Sequence, residues 1–385
     1  MPRAGRPSLS SRKVYNAAMS SPLRRVGLNL ALLLLSLLLS FTVAETFLRF
    51  FRPQPLQALM VWPDGTLRHR PSFRYTYVRA EFSHRIAWNA HGMRGPEILQ
   101  SKSPQVARVI VLGDSFVEGK QVGDDEVLTS VMAAMARDDG VPLEVINLGV
   151  SGVGTAREIH LWEKLGRPLA PDIVVLGFYP NDVRNNAERG EFSIDAGRVT
   201  LLIEERASSN PLARARAWLA AHSHLYILIR SGQNALDEWL DPPTAIESED
   251  VFARDPPERV RRGWEMTRAL LSHLAQSVRE TGARLVVVLI PTRFQVDDAL
   301  WGTHAADLGL DPAAYDLRIP NRELGDWAAA EGVTFLDLLE GFRARNESNS
   351  FYYAGDAHWN ADGHRLAAQI ILEGLRQDPS GPASE

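Results

Sequence analysis

The most uniform stretch of the chain is apolar. Val26 to Ala44 runs 19 residues without a charge, led by Leu30, Leu32 to Leu35 and Leu37 to Leu39. About 20 such residues suffice to cross the hydrocarbon core of a bilayer as a helix. No polar face interrupts the run, which argues against a buried helix of a soluble domain. Further on, the apolar pattern becomes punctuated. Five short runs, 108–112, 143–148, 173–177, 284–290 and 333–338, read as buried strands. Helical stretches separate them, which implies right-handed crossovers and a parallel sheet.

Three of those helices are legible. One spans about 126–137, with Val127, Leu128, Val131, Met132 and Met135 on one face. A second starts after Pro256-Pro257 and runs to about Glu280. The last begins near Gly363 and buries Leu366, Ala367, Ile370, Ile371 and Leu375. Between Val183 and Pro257 lies an insert of about 75 residues. Within it, Asn210-Pro211 is a helix start. That helix carries Leu212, Ala215, Trp218, Leu219 and His222 on one stripe and is expected to end near Ser231-Gly232. The acidic, proline-bearing stretch 237–255 reads as loop. A loop of this length at a sheet rim is a candidate substrate lid; a structural elaboration without substrate contact is the alternative.

Composition narrows the class. The hydrophobic share of 45% and charged share of 23% suit a globular domain, and 385 residues can bury a substantial core. A net charge of −5 gives no reason to expect nucleic acid. Without cysteine there is no disulfide, Cys-based metal site or lipidated cysteine. Charge also orients the apolar run. Arg3, Arg6, Arg12, Lys13, Arg24 and Arg25 precede it; Glu45, Arg49 and Arg52 follow. The basic flank stays cytoplasmic, so the rest of the chain is expected on the extracytoplasmic side. A cleaved signal peptide is the alternative, with Thr42-Val43-Ala44 as the cleavage-like site. Phe47, Phe50, Phe51 and Trp62 suit either a membrane interface or a packed N-terminal subdomain.

The candidate chemistry sits where strands stop. Gly113-Asp114-Ser115-Phe116 ends the run Val109-Ile110-Val111-Leu112, and ligands of open parallel sheets bind at the carboxyl ends of strands. A serine there needs a base. Asp356-Ala357-His358-Trp359-Asn360 offers one, with an aspartate able to hold one ring nitrogen while the other deprotonates the serine. Asn147-Leu148-Gly149-Val150-Ser151-Gly152 and Pro180-Asn181-Asp182 each follow their own apolar run and belong at the same rim.

These four blocks, in this order, resemble the SGNH hydrolase superfamily, also called the GDSL esterase/lipase family, over about residues 108–375. The resemblance implies Ser115 as nucleophile, His358 as general base and Asp356 as the acid that orients it. It implies an oxyanion hole from the backbone N–H groups of Ser115 and Gly152 and the Asn181 amide. Two positions depart from the pattern. The acid stands two residues before the histidine rather than three, where Gly355 lies. The third block has Tyr179 and Pro180 where the family has Gly-x. Segments similar to Asn89-Ala90-His91-Gly92-Met93-Arg94 precede the catalytic block in membrane-anchored relatives, which suggests packing beside the site; a surface turn is the alternative.

Other residues weigh less. His364 reads as a capping or surface residue, and His222 and His224 are too isolated for a metal pair. Gly149 to Gly154 has the spacing G-x-x-G-x-G, not that of a dinucleotide site. Asp114, Arg293 and Gln295 are candidates for contacting a polar substrate. No cofactor or metal is expected.

The expected architecture is a three-layer α/β/α sandwich with a five-stranded parallel, flavodoxin-like sheet, preceded by one N-terminal transmembrane helix. Its parts are a cytoplasmic basic tail (1–25), a signal-anchor helix (26–44), a juxtamembrane segment (45–106), an SGNH hydrolase domain (107–378) with the insert 183–257, and a disordered tail (379–385). The expected activity is a serine esterase removing acetyl or another short acyl group from a cell-envelope saccharide or small ester. The alternatives are an O-acyltransferase with the same triad and a catalytically silent scaffold of a polysaccharide assembly.

Overall fold

The computed structural model describes residues 22–52, 54, 56, 59–195, 198–203, 211–240, 249–345 and 351–377. The tails expected over 1–25 and 379–385 lie outside these residues, the first up to residue 21. The chain forms two compact units: Met1–Leu56 with Ser223–Gln233, and Gln57–His222 with Asn234–Glu385.

In the first unit, Pro22–Phe51 is one helix of 30 residues. Within it Arg25–Phe51 holds an 18-residue window of mean hydropathy 2.3, and it is the one described helix long and apolar enough to cross a membrane. Its leucines from Leu28 to Leu39 are all exposed.

The second unit begins with two hairpins, β1 (Leu59–Val61) with β2 (Leu67–His69), and β3 (Arg74–Val78) with β4 (Ser83–Ala87). The segment expected as juxtamembrane therefore begins in the apolar helix, to Phe51, and carries two hairpins beyond it. The central sheet follows: β5 (Ala107–Gly113), β6 (Leu143–Gly149) and β7 (Ile173–Phe178). An antiparallel pair, β8 (Phe192–Asp195) and β9 (Arg198–Leu201), lies in the insert. The sheet is completed by β10 (Arg284–Leu289) and β11 (Thr334–Asp337). The order β6-β5-β7-β10-β11 is 2-1-3-4-5 in chain order, with every pair parallel, the flavodoxin-like order.

Both faces of the sheet are dry, because side chains alternate along each strand. Ile110, Leu112, Ile146, Leu148, Val174, Leu176, Val287 and Leu289 face one core with Ile159, Leu270, Leu274 and Trp327. Those last residues come from the helices Thr155–Leu161, Glu258–Arg279 and Ile319–Glu331. Val109, Val111, Val145, Val175, Val286 and Val288 face the other, with Leu128, Met132, Leu366 and Ile371. These belong to the helices Leu128–Asp138 and Ala361–Gln377. The three layers are helices, sheet, helices.

The insert departs from expectation. Its helix is two helices, Pro211–His222 and His224–Leu240, split at Ser223. The second runs into the stretch expected as loop from residue 237. The break is local. Ser223 Oγ accepts from the backbone N–H of Tyr226 at 3.1 Å, a cap that starts a new helix.

Candidate active site

The serine is delivered by a one-turn helix seated on glycines. Gly113, Gly149 and Gly177 lie in register across β5, β6 and β7. A Cβ on Gly149 would lie 2.4 Å from Glu118 N, and one on Gly177 would lie 2.8 Å from Val117 Cγ2. The row of missing side chains is the space into which the helix Ser115–Glu118 fits. The buried Asp114 caps it, accepting from Phe116 N at 2.9 Å. Asn147 donates from Nδ2 to the Val117 carbonyl at 2.7 Å. Arg94, 1% exposed, donates to the carbonyls of Glu118, Gly119 and Val122 and pairs with Asp124. A cation at the C-terminal end of a helix complements its dipole.

The candidate base, His358, comes from a loop, residues 351–360, pinned from inside by Tyr352 and Trp359. Tyr352 Oη donates to the Pro291 carbonyl at 2.8 Å, and Trp359 is fully buried. His358 Nε2 lies 2.7 Å from Ser115 Oγ, and His358 Nδ1 lies 2.5 Å from Asp356 Oδ1. The hydrogen bond and charge of His358 hold the Asp356 carboxyl below its ordinary range against partial burial. The Phe116 ring packs on Tyr179, His358 and Trp359, with centroids 4.5, 4.9 and 5.1 Å away.

From outside, the same loop is held by Glu81, at the turn between β3 and β4. Its carboxylate accepts from the backbone N–H groups of Ala354 (2.7 Å), Gly355 (2.8 Å) and Asp356 (3.0 Å). Arg293 Nη1 donates to the Ala354 carbonyl at 2.7 Å.

Gly152 and Asn181 follow the ends of β6 and β7. Gly152 has φ +72°, and its missing Cβ meets nothing within 4 Å. The left-handed backbone, more than lack of space, favours glycine there. The preceding Ser151 N–H donates to Glu118 Oε2 at 2.6 Å, tying this turn to the serine helix. Glu118 is fully buried. Lys120, His69 (Nε2 2.6 Å from Oε1) and the Ser151 side chain overcome the penalty of burial and keep its carboxyl below the ordinary range. Asn181 opens the helix Asn181–Glu188, its Nδ2 3.5 Å from Asp114 Oδ2. Burial raises the Asp114 carboxyl. It raises those of Asp182 and Glu158 much further. Both Glu158 oxygens are buried without a hydrogen-bond partner.

Ser115, Asp356, His358 and Asn181, far apart in sequence, thus meet at one rim with Gly152. Three expectations are corrected. Gln295 is fully buried. It completes a capping box with Thr292 and donates to the Leu317 carbonyl and Asn321 Oδ1, so it cannot reach a substrate. Asp114 is buried and occupied by Phe116 N and Asn181, which makes it internal support rather than a substrate contact. His364 does not face solvent, and the helix whose start it serves is Leu128–Asp138, not its own. It is 1% exposed, Nδ1 accepts from Leu128 N, and burial pushes its pKa down to about 3. Arg293 props the base loop. The turn at Asn89–Arg94 is no surface turn: Asn89 and Arg94 are buried, and Arg94 lies under the serine helix.

Sequence reasoning missed Glu81, Glu118 and His69. Glu118 had one signal, an acid one turn after the serine. Glu81 and His69 had none, because their partners lie 275 residues away (Glu81 to Asp356) or on another element.

Residues 111–366 match a family described as the GDSL-like lipase/acylhydrolase family. No curated protein matches the chain. Solved structures similar to it include TesA, at 13% identity and TM-score 0.41 over 70% of this chain and 98% of that one. A lipase/acylhydrolase from Enterococcus faecalis matches at 14% and 0.40, over 72% and 100%. A catalytic mutant of Axe2, an acetylxylan esterase from Geobacillus stearothermophilus, matches at 12% and 0.39, over 70% and 95%.

Proposed function

The chain belongs to the GDSL-like lipase/acylhydrolase family and is an enzyme acting on ester bonds; on that premise we propose a serine esterase in which Ser115, His358 and Asp356 form the triad. The observation that carries this reading is the pair of contacts on one imidazole, 2.7 Å to Ser115 Oγ and 2.5 Å to Asp356 Oδ1. Both lie within or at the edge of the reach needed for proton transfer and orientation.

The steps follow from those contacts. Ser115 Oγ attacks the acyl carbon and passes its proton to His358 Nε2. Asp356 steadies the imidazolium. The carbonyl oxygen becomes an oxyanion, which accepts from the N–H groups of Ser115 and Gly152 and from the Asn181 amide. Asn181 Nδ2 carries two hydrogens, so its long contact with Asp114 leaves one for this role. Such donors are worth about 3 kcal/mol each when aimed at the transition state. Collapse breaks the ester bond, and the leaving alcohol takes the proton from His358. Water then attacks the acyl-enzyme with His358 again as base, freeing the acid and Ser115.

The substrate class follows from topology. The helix Arg25–Phe51 would tether the domain as a single-pass signal anchor. Its basic flank would keep the N-terminus in the cytoplasm and the site on the extracytoplasmic side. We therefore assign acetyl or another short acyl ester on an envelope saccharide. A fusion at Glu385 to a reporter active only outside the cytoplasm should be active, and silence there with a working cytoplasmic reporter overturns the topology. For the chemistry, the detergent-solubilised full chain should release acetate from acetylated polysaccharide, and Ser115→Ala should not. Equal release by Ser115→Ala removes the triad. Acetate appearing only on an added sugar acceptor, never free, would make the chain a transferase.

A further inference from the structure

The helix that follows Ser223 is fastened to the end of the apolar helix. Glu45 is the first charge after the apolar run. Its carboxylate accepts from the backbone N–H groups of His224 and Leu225, both at 3.0 Å, and from Ser223 Oγ at 2.9 Å. It thus serves the helix His224–Leu240 as an N-cap carboxylate supplied by a distant segment. Gln54 N donates to His224 Nδ1 at 2.9 Å. Leu48, His224 and Ile227 are buried, whereas Leu228 and Ile229 are 36% and 47% exposed and Arg230 follows them into solvent. Residues 223–233 and the apolar helix belong to one compact unit.

Helix geometry turns this fastening into a depth. The 19 residues from Val26 to Ala44 span about 28 Å as a helix, close to the roughly 30 Å of a hydrocarbon core. Glu45 then stands at the outer boundary of that core. At about 1.5 Å per residue, Leu228 and Ile229 lie within about 8 Å, along the helix, of the turn that Glu45 holds. The polar zone on each side of a bilayer is about 5–8 Å deep. Whichever way the helix runs, its exposed apolar pair starts within or at the edge of that zone. Phe47, Phe50 and Phe51, all exposed just past the run, are of the type found there.

We infer that the start of the insert's second helix is a lipid-contacting face: Leu228 and Ile229 enter the interfacial zone of the bilayer that the apolar helix crosses, and Glu45 holds them there. The inference rests on the reading of Arg25–Phe51 as membrane-spanning.

The chain has no cysteine, so one introduced thiol carries a fluorophore at one known place. The full chain, labelled at Ile229→Cys, is reconstituted into vesicles of phosphatidylethanolamine and phosphatidylglycerol. Leu34→Cys reports the span, and Leu308→Cys, at a residue 50% exposed in the second unit, is the aqueous reference. The Ile229 probe should be quenched by spin-labelled lipid and be severalfold less sensitive to iodide than the Leu308 probe. Glu45→Ala should restore its iodide sensitivity without changing the Leu34 probe. If the Leu34 probe is quenched by lipid while the Ile229 probe behaves like Leu308, the inference fails and the anchor stands. If the Leu34 probe is itself not quenched, the anchor fails and the inference with it. Lipid contact at Ile229 that survives Glu45→Ala removes Glu45 as the tether.

Discussion

The two sides of the candidate site are held in different ways. On the nucleophile side, Asp114, Phe116, Val117, Glu118 and Arg94 are all nearly or fully buried, and Ser115 stands on a row of glycines at strand ends. Packing leaves that helix no other position. On the base side, the side chains of His358 and Asp356 are 28% and 22% exposed. Their loop is fixed by Trp359 and Tyr352 beneath and by the Glu81 carboxylate above. One half is positioned by burial, the other by a few directed hydrogen bonds. Changes at the first should register in stability as well as turnover, and changes at the second mainly in turnover.

The largest expected effect tests the exposed half. Asp356→Asn should lower kcat about 10⁴-fold, because the amide favours the wrong imidazole tautomer. Melting temperature should move little, since Trp359 and Tyr352 still pin the loop. Near-normal turnover would exclude Asp356 as the acid. Asp362, four residues beyond the histidine on the first turn of the last helix, is the other acid nearby in the sequence.

Next comes Asn181→Ala. Loss of an oxyanion donor should lower kcat and kcat/KM together, by roughly 10²- to 10³-fold, with KM little changed. A mutant that melts early but keeps its turnover per folded molecule would assign Asn181 to the helix start instead.

A smaller effect is expected from Glu81→Ala. It removes the acceptor of three backbone N–H groups but leaves the side chains of Ser115, His358 and Asp356 intact. Hydrogen bonds to charged groups contribute about 1.5–3 kcal/mol, less in this exposed setting, so a fall of roughly tenfold in kcat is expected. If Glu81 acts through Asp356, the loss should largely vanish when measured in the Asp356→Asn background. Full additivity would make Glu81 independent of the acid.

The smallest effect concerns stability on the buried half. Burial raises the Glu158 carboxyl well above its ordinary value, so the folded chain keeps a proton that the unfolded chain releases above about pH 4.3. Stability from this group is present below that pH and is lost as pH rises toward the folded pKa. Glu158→Gln should therefore gain on the parent by about 1 kcal/mol or more at pH 8, and by less at pH 5. Melting curves at the two pH values decide it. An equal difference at both means that Glu158 is charged in the fold.

Much of this was legible in the chain because it is local. Strand runs of buried residues, the apolar span and the four blocks at strand ends depend on neighbours a few residues apart, and the parallel order follows from chirality and short connections. The insert helix was misread because a serine inside an amphipathic stretch carries no mark of being a cap until its partners are in place. Gln295 was misplaced for a related reason. Its position after a strand suggested the rim, but its amide found its donor and acceptors inside the protein.

The sequence by itself determined the α/β class and the apolar span, and through a family resemblance carried by short segments it proposed Ser115, His358, Asp356, Gly152 and Asn181 as a set. Only the tertiary structure decided what holds that set in place. Glu81 reaches a loop 274 residues away at Gly355, Arg94 supports the serine helix from an N-terminal turn, and Glu45 caps a helix 179 residues further along at His224. A hydrogen bond needs its partners within about 3 Å. Contacts between segments so far apart in the chain leave no periodic pattern in the sequence; they exist only where the fold has brought the segments together.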